Sequence, residues 1–352
     1  MKLGLSIGYS GPRINLPMER IRLAEELGYD SIWTAEAYGS DAITPLAYIA
    51  AHTKRIRLAT GIIQLAARSP AATMMSAATV DDLAGGNRFI LGLGVSGPQI
   101  VEGWYGQPWG KPYWRIRDYV EIMKKIRDRK EPVSHEGREI SLPYRGEGAL
   151  GVGKPLKSIL HINPKIPIWL GTGTETNVRL TAEIADGWLP LNFVPGSMKT
   201  YGPWLEEGFK RAGNGKSLKD FEIQASTSVI ITDDIATGLK KLKPNVALYV
   251  GGMGHPDKNF HKDMMIRRGF GEAAARIQEL YLAKRKNEAA DAVPDEYVDE
   301  NALVGPRERI EKRFADWADS GATGLTIATG QLEAIEFMAD LAGSRRQVSE
   351  SA

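Results

Sequence analysis

The sequence predicts an α/β chain folded as a (β/α)8 TIM barrel. Three observations carry this expectation. Short apolar runs alternate with amphipathic helices, each helix ends on glycine or a small residue just before the next run, and eight such runs fit within 352 residues. Strands that alternate with helices of this length form βαβ units and a parallel sheet. Eight units, at roughly 250 residues plus insertions, close into a barrel. An open doubly wound sheet is the alternative architecture.

The expected strands are Leu3–Gly8, Ser31–Thr34, Ile56–Ile63, Phe89–Gly94, Ile166–Gly171, Gly187–Leu191, Glu222–Ile231 and Gly324–Thr329. The first helix runs from Pro17 to Leu27, where Met18, Ile21, Ala24 and Leu27 share one face. Pro17 suits its first turn and Gly28 its C-terminal cap. Ser69-Pro70 is a helix start, and the helix through Ala78 to Leu83 stops at Gly85-Gly86-Asn87. Trp114 to Arg127 is helical, as are Thr176 to Ala185, before Asp186-Gly187, and Arg307 to Ala318, before Ser320-Gly321-Ala322. Two segments break the rhythm. Residues 129–165 are rich in Gly and Pro and form a hairpin or loop insertion. Residues 251–301 turn charged and helical around Glu272 to Asn287. Neither looks like an independent domain, so one domain spans 1–343, followed by a polar tail at 344–352.

Composition narrows the function. With 43% hydrophobic and 25% charged residues the chain is globular rather than disordered. No run approaches the roughly 20 apolar residues of a membrane span. The N-terminus alternates and stops at Gly8, unlike a signal peptide. Cysteine is absent, which excludes disulfides, thiolate catalysis and cysteine metal sites and fits a cytoplasmic protein. The 45 basic and 43 acidic residues nearly cancel, against a nucleic-acid binder that works by bulk charge.

In a barrel the chemistry sits where strands end and helices begin. Glu36 follows the second strand and can exchange a proton there, or simply cap a helix. Gly61, inside the third strand, marks a bulge or a close backbone approach. Gly92-Leu93-Gly94-Val95-Ser96-Gly97 matches the nicotinamide fingerprint in letters, but three βα units precede it and Pro98 follows it. It is better read as a glycine-rich mouth that admits a flat ligand. Gly171-Thr172-Gly173-Thr174-Glu175-Thr176 leads into a helix whose amides suit a phosphate, with ordinary N-capping as the other reading. Trp104, Tyr105, Trp109, Tyr113 and Trp114 could wall a pocket or pack locally. His255, Asp257 and His261 are spaced too irregularly for a metal, and no metal is assigned.

These strand mouths resemble the luciferase-like monooxygenase superfamily, most closely its branch of deazaflavin (coenzyme F420)-dependent oxidoreductases. The resemblance rests on Trp33-Thr34-Ala35-Glu36-Ala37-Tyr38-Gly39-Ser40-Asp41-Ala42, on Phe89 through Gly97, on Ala182-Glu183-Ile184-Ala185-Asp186-Gly187-Trp188-Leu189-Pro190, and on Val304-Gly305-Pro306 to Gly321. It implies a flavin-like ring within the mouths, beside Thr34 and over a non-prolyl cis peptide at Gly61–Ile62. It implies a phosphate on Gly171, Thr172, Gly173, Thr174 and Thr176, with backbone from Val95, Ser96 and Gly97 nearby. It implies hydride transfer to or from a small organic substrate, and a homodimer. Relatives carry an Asp-His pair where Ala35-Glu36 stands here, and some carry an acid where Gly97 stands. Glu36 is therefore the candidate proton donor or orienting acid. The alternatives are an FMN-dependent monooxygenase, a non-catalytic deazaflavin-binding protein, and a nicotinamide-dependent dehydrogenase, the last of which requires an open sheet.

Overall fold

The computed structural model describes residues 1–253, 255 and 258–345. Its strands in chain order are β1 (Lys2–Gly8), β2 (Ser31–Thr34), β3 (Arg57–Thr60), β4 (Ile63–Gln64), β5 (Phe89–Gly94), β6 (His135–Glu136), β7 (Ser141–Leu142), β8 (Ile168–Thr172), β9 (Gly187–Pro190), β10 (Glu222–Ile231), β11 (Ala302–Gly305) and β12 (Gly324–Ala328). The main sheet runs β1-β2-β3-β5-β8-β9-β10-β12 with every pairing parallel, and β12 returns to β1. The ring is closed. This settles the architecture against the open sheet, and with it against an open-sheet dinucleotide site at Gly92–Gly97.

Two crowded layers fill the barrel. At the base, Arg57 Nη2 lies 2.6 Å from Asp30 and 3.0 Å from Glu222. Above it Trp33 and Trp169 meet at 5.5 Å between ring centroids, packed with Ala59 and Ile90. Gly4 and Gly187 make room for them: a Cβ at either would lie 2.6 Å from an indole ring atom. Two buried tryptophans so enclosed rank among the largest single contributions to a core.

Helix starts follow local chemistry. Ser69 accepts from the amide of Ala72 and Pro70 occupies the first turn of the helix Pro70–Leu83. Gly28, at φ +77°, ends the first helix in a conformation that favours glycine.

The structure corrects the sequence reading at three places and shows the first insertion to hold the hairpin that was one of its two expected forms. The expected third strand breaks at Gly61–Ile62 into β3 and β4, because β4 leaves β3's line to pair with β5 at Leu93 and Gly94. The first insertion contains a short antiparallel hairpin, β6–β7, pinned by Asp118, which accepts from the amides of Glu139 and Ile140. The second insertion starts earlier than expected, with helices Ile235–Lys240 and Lys243–Gly251, and ends in β11. It has its own apolar cluster, including Leu239, Val250, Met265, Ile277 and Val298. Ser344, placed in the polar tail, is buried and donates to Leu27 O; residues 346–352 lie outside the described residues. Among the described residues no helix is long and apolar enough to cross a membrane.

Candidate functional site

The predicted site residues converge. They stand at the C-terminal ends of β2, β3–β4, β5 and β8, which are neighbours in the barrel wall. They therefore line one continuous side of the mouth.

At its centre the Gly61–Ile62 peptide is cis. The Gly61 amide donates to Thr34 O at 2.7 Å. Gly61 itself is exposed, and a Cβ there would meet the Trp33 ring at 3.1 Å. The Ile62 side chain turns inward. A Cβ at Gly94 would lie 3.0 Å from its Cγ1, and one at Gly171 would lie 2.9 Å from its Cγ2. The glycines of β5 and β8 thus accommodate one isoleucine and leave a smooth floor.

Val95, Ser96 and Gly97 are half-buried beside this floor, with Ser96 at φ +61°. Gly97 leads into the helix Pro98–Gly103, and a Cβ on it would sit 3.7 Å from Met253 O. On the β8 side, Gly173 and Thr174 precede the helix Glu175–Ile184. Thr174 makes no side-chain cap, so side chains leave the first-turn amides open. Two hydroxyls are already committed. Thr34 Oγ1 donates to Ala42 O at 2.7 Å, and Thr172 Oγ1 pairs with Thr181 Oγ1 at 2.8 Å. Both residues can offer a ligand backbone, but not a free hydroxyl. Thr176 is exposed.

Glu36 is not isolated. Arg68 Nη1 donates to both of its carboxylate oxygens, at 2.8 and 3.0 Å, and the Gln64 amide donates to Oε2 at 3.2 Å. Asp41 lies on the other side of Arg68, at 3.6 Å. Burial works against the Asp41 carboxylate, yet hydrogen bonds from Thr44 and Ile43, with Arg68 adding attraction, hold its carboxyl below the usual range. Burial pushes the Tyr105 phenol up, and Glu36 adds to this.

Several residues at the mouth escaped the sequence reading. Arg68 stands just before the helix start at Ser69-Pro70 and carries no local signal of its own. Tyr38 donates to Met253 Sδ at 3.7 Å, so the second insertion roofs the β2 side, and within that insertion the Tyr249 and His261 rings meet at 4.6 Å with a tilt of 55°. Across the mouth, Met264 packs on Gly173 and Arg267 Nη1 reaches Gly173 O at 3.4 Å. Its neighbour Arg268 is paired with Glu300 and lies over Tyr297. No local pattern marks a residue whose position depends on how an insertion folds back. Of the aromatic run, Tyr105 donates to Ala37 O at 3.3 Å, whereas Trp109 packs with Leu65, Val95 and Val101 around a void of about 10 Å³. His261 packs against the Tyr249 ring, and Asp257 lies outside the described residues. Among those described, no group of three or more His, Asp or Glu is arranged to hold a metal.

The residues present fit a deazaflavin. The glycine floor gives a flat ring close backbone contact without a side-chain clash. The open helix start beside Arg267 suits an anionic tail.

Comparison with known proteins bears on the family and the fold. Residues 2–324 match the family model described as luciferase-like monooxygenase. A Mycobacterium tuberculosis protein named "Putative coenzyme F420-dependent oxidoreductase" is 46% identical over 344 residues, covering 97% of this chain and 99% of that one. The 5,10-methylenetetrahydromethanopterin reductase of Archaeoglobus fulgidus is 27% identical over 315 residues, covering 88% of each chain. Among solved structures, the coenzyme F420-dependent tetrahydromethanopterin reductase of Methanopyrus kandleri superposes with a TM-score of 0.78 at 23% identity, covering 96% of this chain and 97% of that one. It shows the shared fold.

Proposed function

The chain belongs to the luciferase-like monooxygenase family, and from that membership we propose an oxidoreductase that moves hydride between coenzyme F420 and a small organic substrate. The observation that carries this reading is the alignment of a glycine-framed floor around Ile62 and an open helix start along four neighbouring strands. When bound, the deazaflavin supplies or takes up the hydride. The chain's own residues do the rest. Gly61 and Ile62 support the ring, with Thr34 at its side, and the backbone of Val95, Ser96 and Gly97 borders it. Gly171, Thr172, Gly173, Thr174 and Thr176 take the phosphate on their amides, and Thr176 adds a hydroxyl. Tyr38, Met253 and Tyr249 limit water from above. Glu36 acts as an orienting acid, since its carboxylate accepts from Arg68 and Gln64. We further propose a single barrel domain with two insertions that pairs as a homodimer.

The test is a titration of the purified chain with oxidised F420 and, in parallel, with FMN. Micromolar or tighter binding of F420, with at least tenfold preference over FMN, is expected. Preference for FMN, with oxygen consumed on reduction, would overturn the reading in favour of a monooxygenase.

A further inference from the structure

We propose that Arg68 is the group that faces the reacting oxygen of the substrate, and that Glu36 is its positioning residue. The inference rests on the deazaflavin-dependent reading above and names a carbonyl-bearing compound as the acceptor class.

Glu36 is poorly placed to donate a proton. Its side chain is only 6% exposed, and both oxygens accept from donors of the chain. Its own carbonyl is clamped by Gln64 Nε2 at 2.9 Å. The Gln64 amide that meets the carboxylate lies two residues beyond the Gly61–Ile62 peptide. The charged cluster therefore borders the floor on which the ring rests.

Arg68 has capacity left over. Nη1 serves Glu36, while Nη2 is 3.6 Å from Asp41, beyond a hydrogen bond. The side chain remains 22% exposed. Its backbone is fixed, because Tyr119 donates to Arg68 O at 2.9 Å and also pairs with Thr73 at 2.6 Å. A guanidinium held at one nitrogen by both oxygens of a carboxylate, and anchored through its own backbone, keeps its other donors near one direction.

The chemistry asks for such a donor. Hydride from the reduced deazaflavin forms a C–H bond at the carbonyl carbon. The C=O π bond breaks and its electron pair moves to oxygen. The deazaflavin is oxidised and the carbonyl reduced; water then supplies the proton that makes the alcohol. A guanidinium keeps its charge and is no acid here, but it stabilises the developing oxyanion.

The experiment uses the full chain loaded with F420 and 4-nitrophenolate as an oxyanion probe, followed by its absorbance. The wild type is expected to bind the phenolate. Arg68→Gln should weaken that binding 30-fold or more, on the order of the loss of a charged donor. Arg68→Lys should fall between, and Glu36→Gln should weaken it about tenfold by freeing the guanidinium. F420 affinity and the thermal midpoint of each variant should stay near wild type. A wild type that holds F420 but not the phenolate overturns the inference alone, as do variants that bind the phenolate unchanged. Parallel losses of phenolate, F420 and thermal stability would make the ion pair merely structural. A wild type that binds no F420 defeats the parent reading and this inference with it.

Discussion

At Gly171 an added methyl would meet Ile62 Cγ2 at 2.9 Å, with Leu93 O at 3.6 Å. The side chain it presses on forms the floor, so the clash cannot relax into solvent. Gly171→Ala should cost about 1–3 kcal/mol by overpacking and should weaken F420 binding as well. Gly97→Ala is the control. Its nearest neighbour is the flexible Gln99 side chain at 3.2 Å, so stability should change little. Urea midpoints of both variants check the contrast, and equal losses of stability would discredit the floor argument. At this scale the sequence was informative about small residues and poor about their partners. Gly94 and Gly171 were visible as glycines at strand ends, and Gly61 as a glycine inside a strand. That two of them exist for one inward isoleucine was not visible, because it depends on strands far apart in sequence. The pairing of Glu36 with Arg68 was hidden for the same reason.

Among elements, the helices and most strands were legible because the apolar period and the capping residues agree. The strand β11 was not. It is only Ala302-Leu303-Val304-Gly305, between Asn301 and Pro306, and it exists because the upper half of β10 offers an edge. The helix Phe260–Arg267 carries its own liability. Burial pushes the His261 imidazole from 6.5 down to about 4. Between those values the unfolded chain binds a proton that the folded chain refuses, so stability falls as pH drops from about 6.5 towards 4. Replacing His261 with Gln should shrink the loss in urea midpoint between pH 7 and pH 5. An unchanged loss would mean that acid sensitivity in this range arises elsewhere.

For the whole molecule, closure of the sheet fixes which loops meet, and the alternation of strand and helix foretold that closure. What it could not foretell is the outer surface. Tyr48 and Met75 are more than half exposed, on the adjacent helices Thr44–Ala50 and Pro70–Leu83. Apolar side chains left bare on neighbouring barrel helices suit pairing with a second copy. Light scattering should give twice the chain mass, and Tyr48→Glu with Met75→Glu should reduce it to one. A wild type that stays monomeric at micromolar concentration removes the dimer. The second insertion leaves the barrel at Ile231 and returns at Ala302, on strands that are hydrogen-bonded neighbours, and it carries its own core between them. Its two ends are thus already joined through the wall, so the segment is a cassette in the evolutionary sense. Selection can rewrite the roof of the mouth while the barrel wall beneath it is kept.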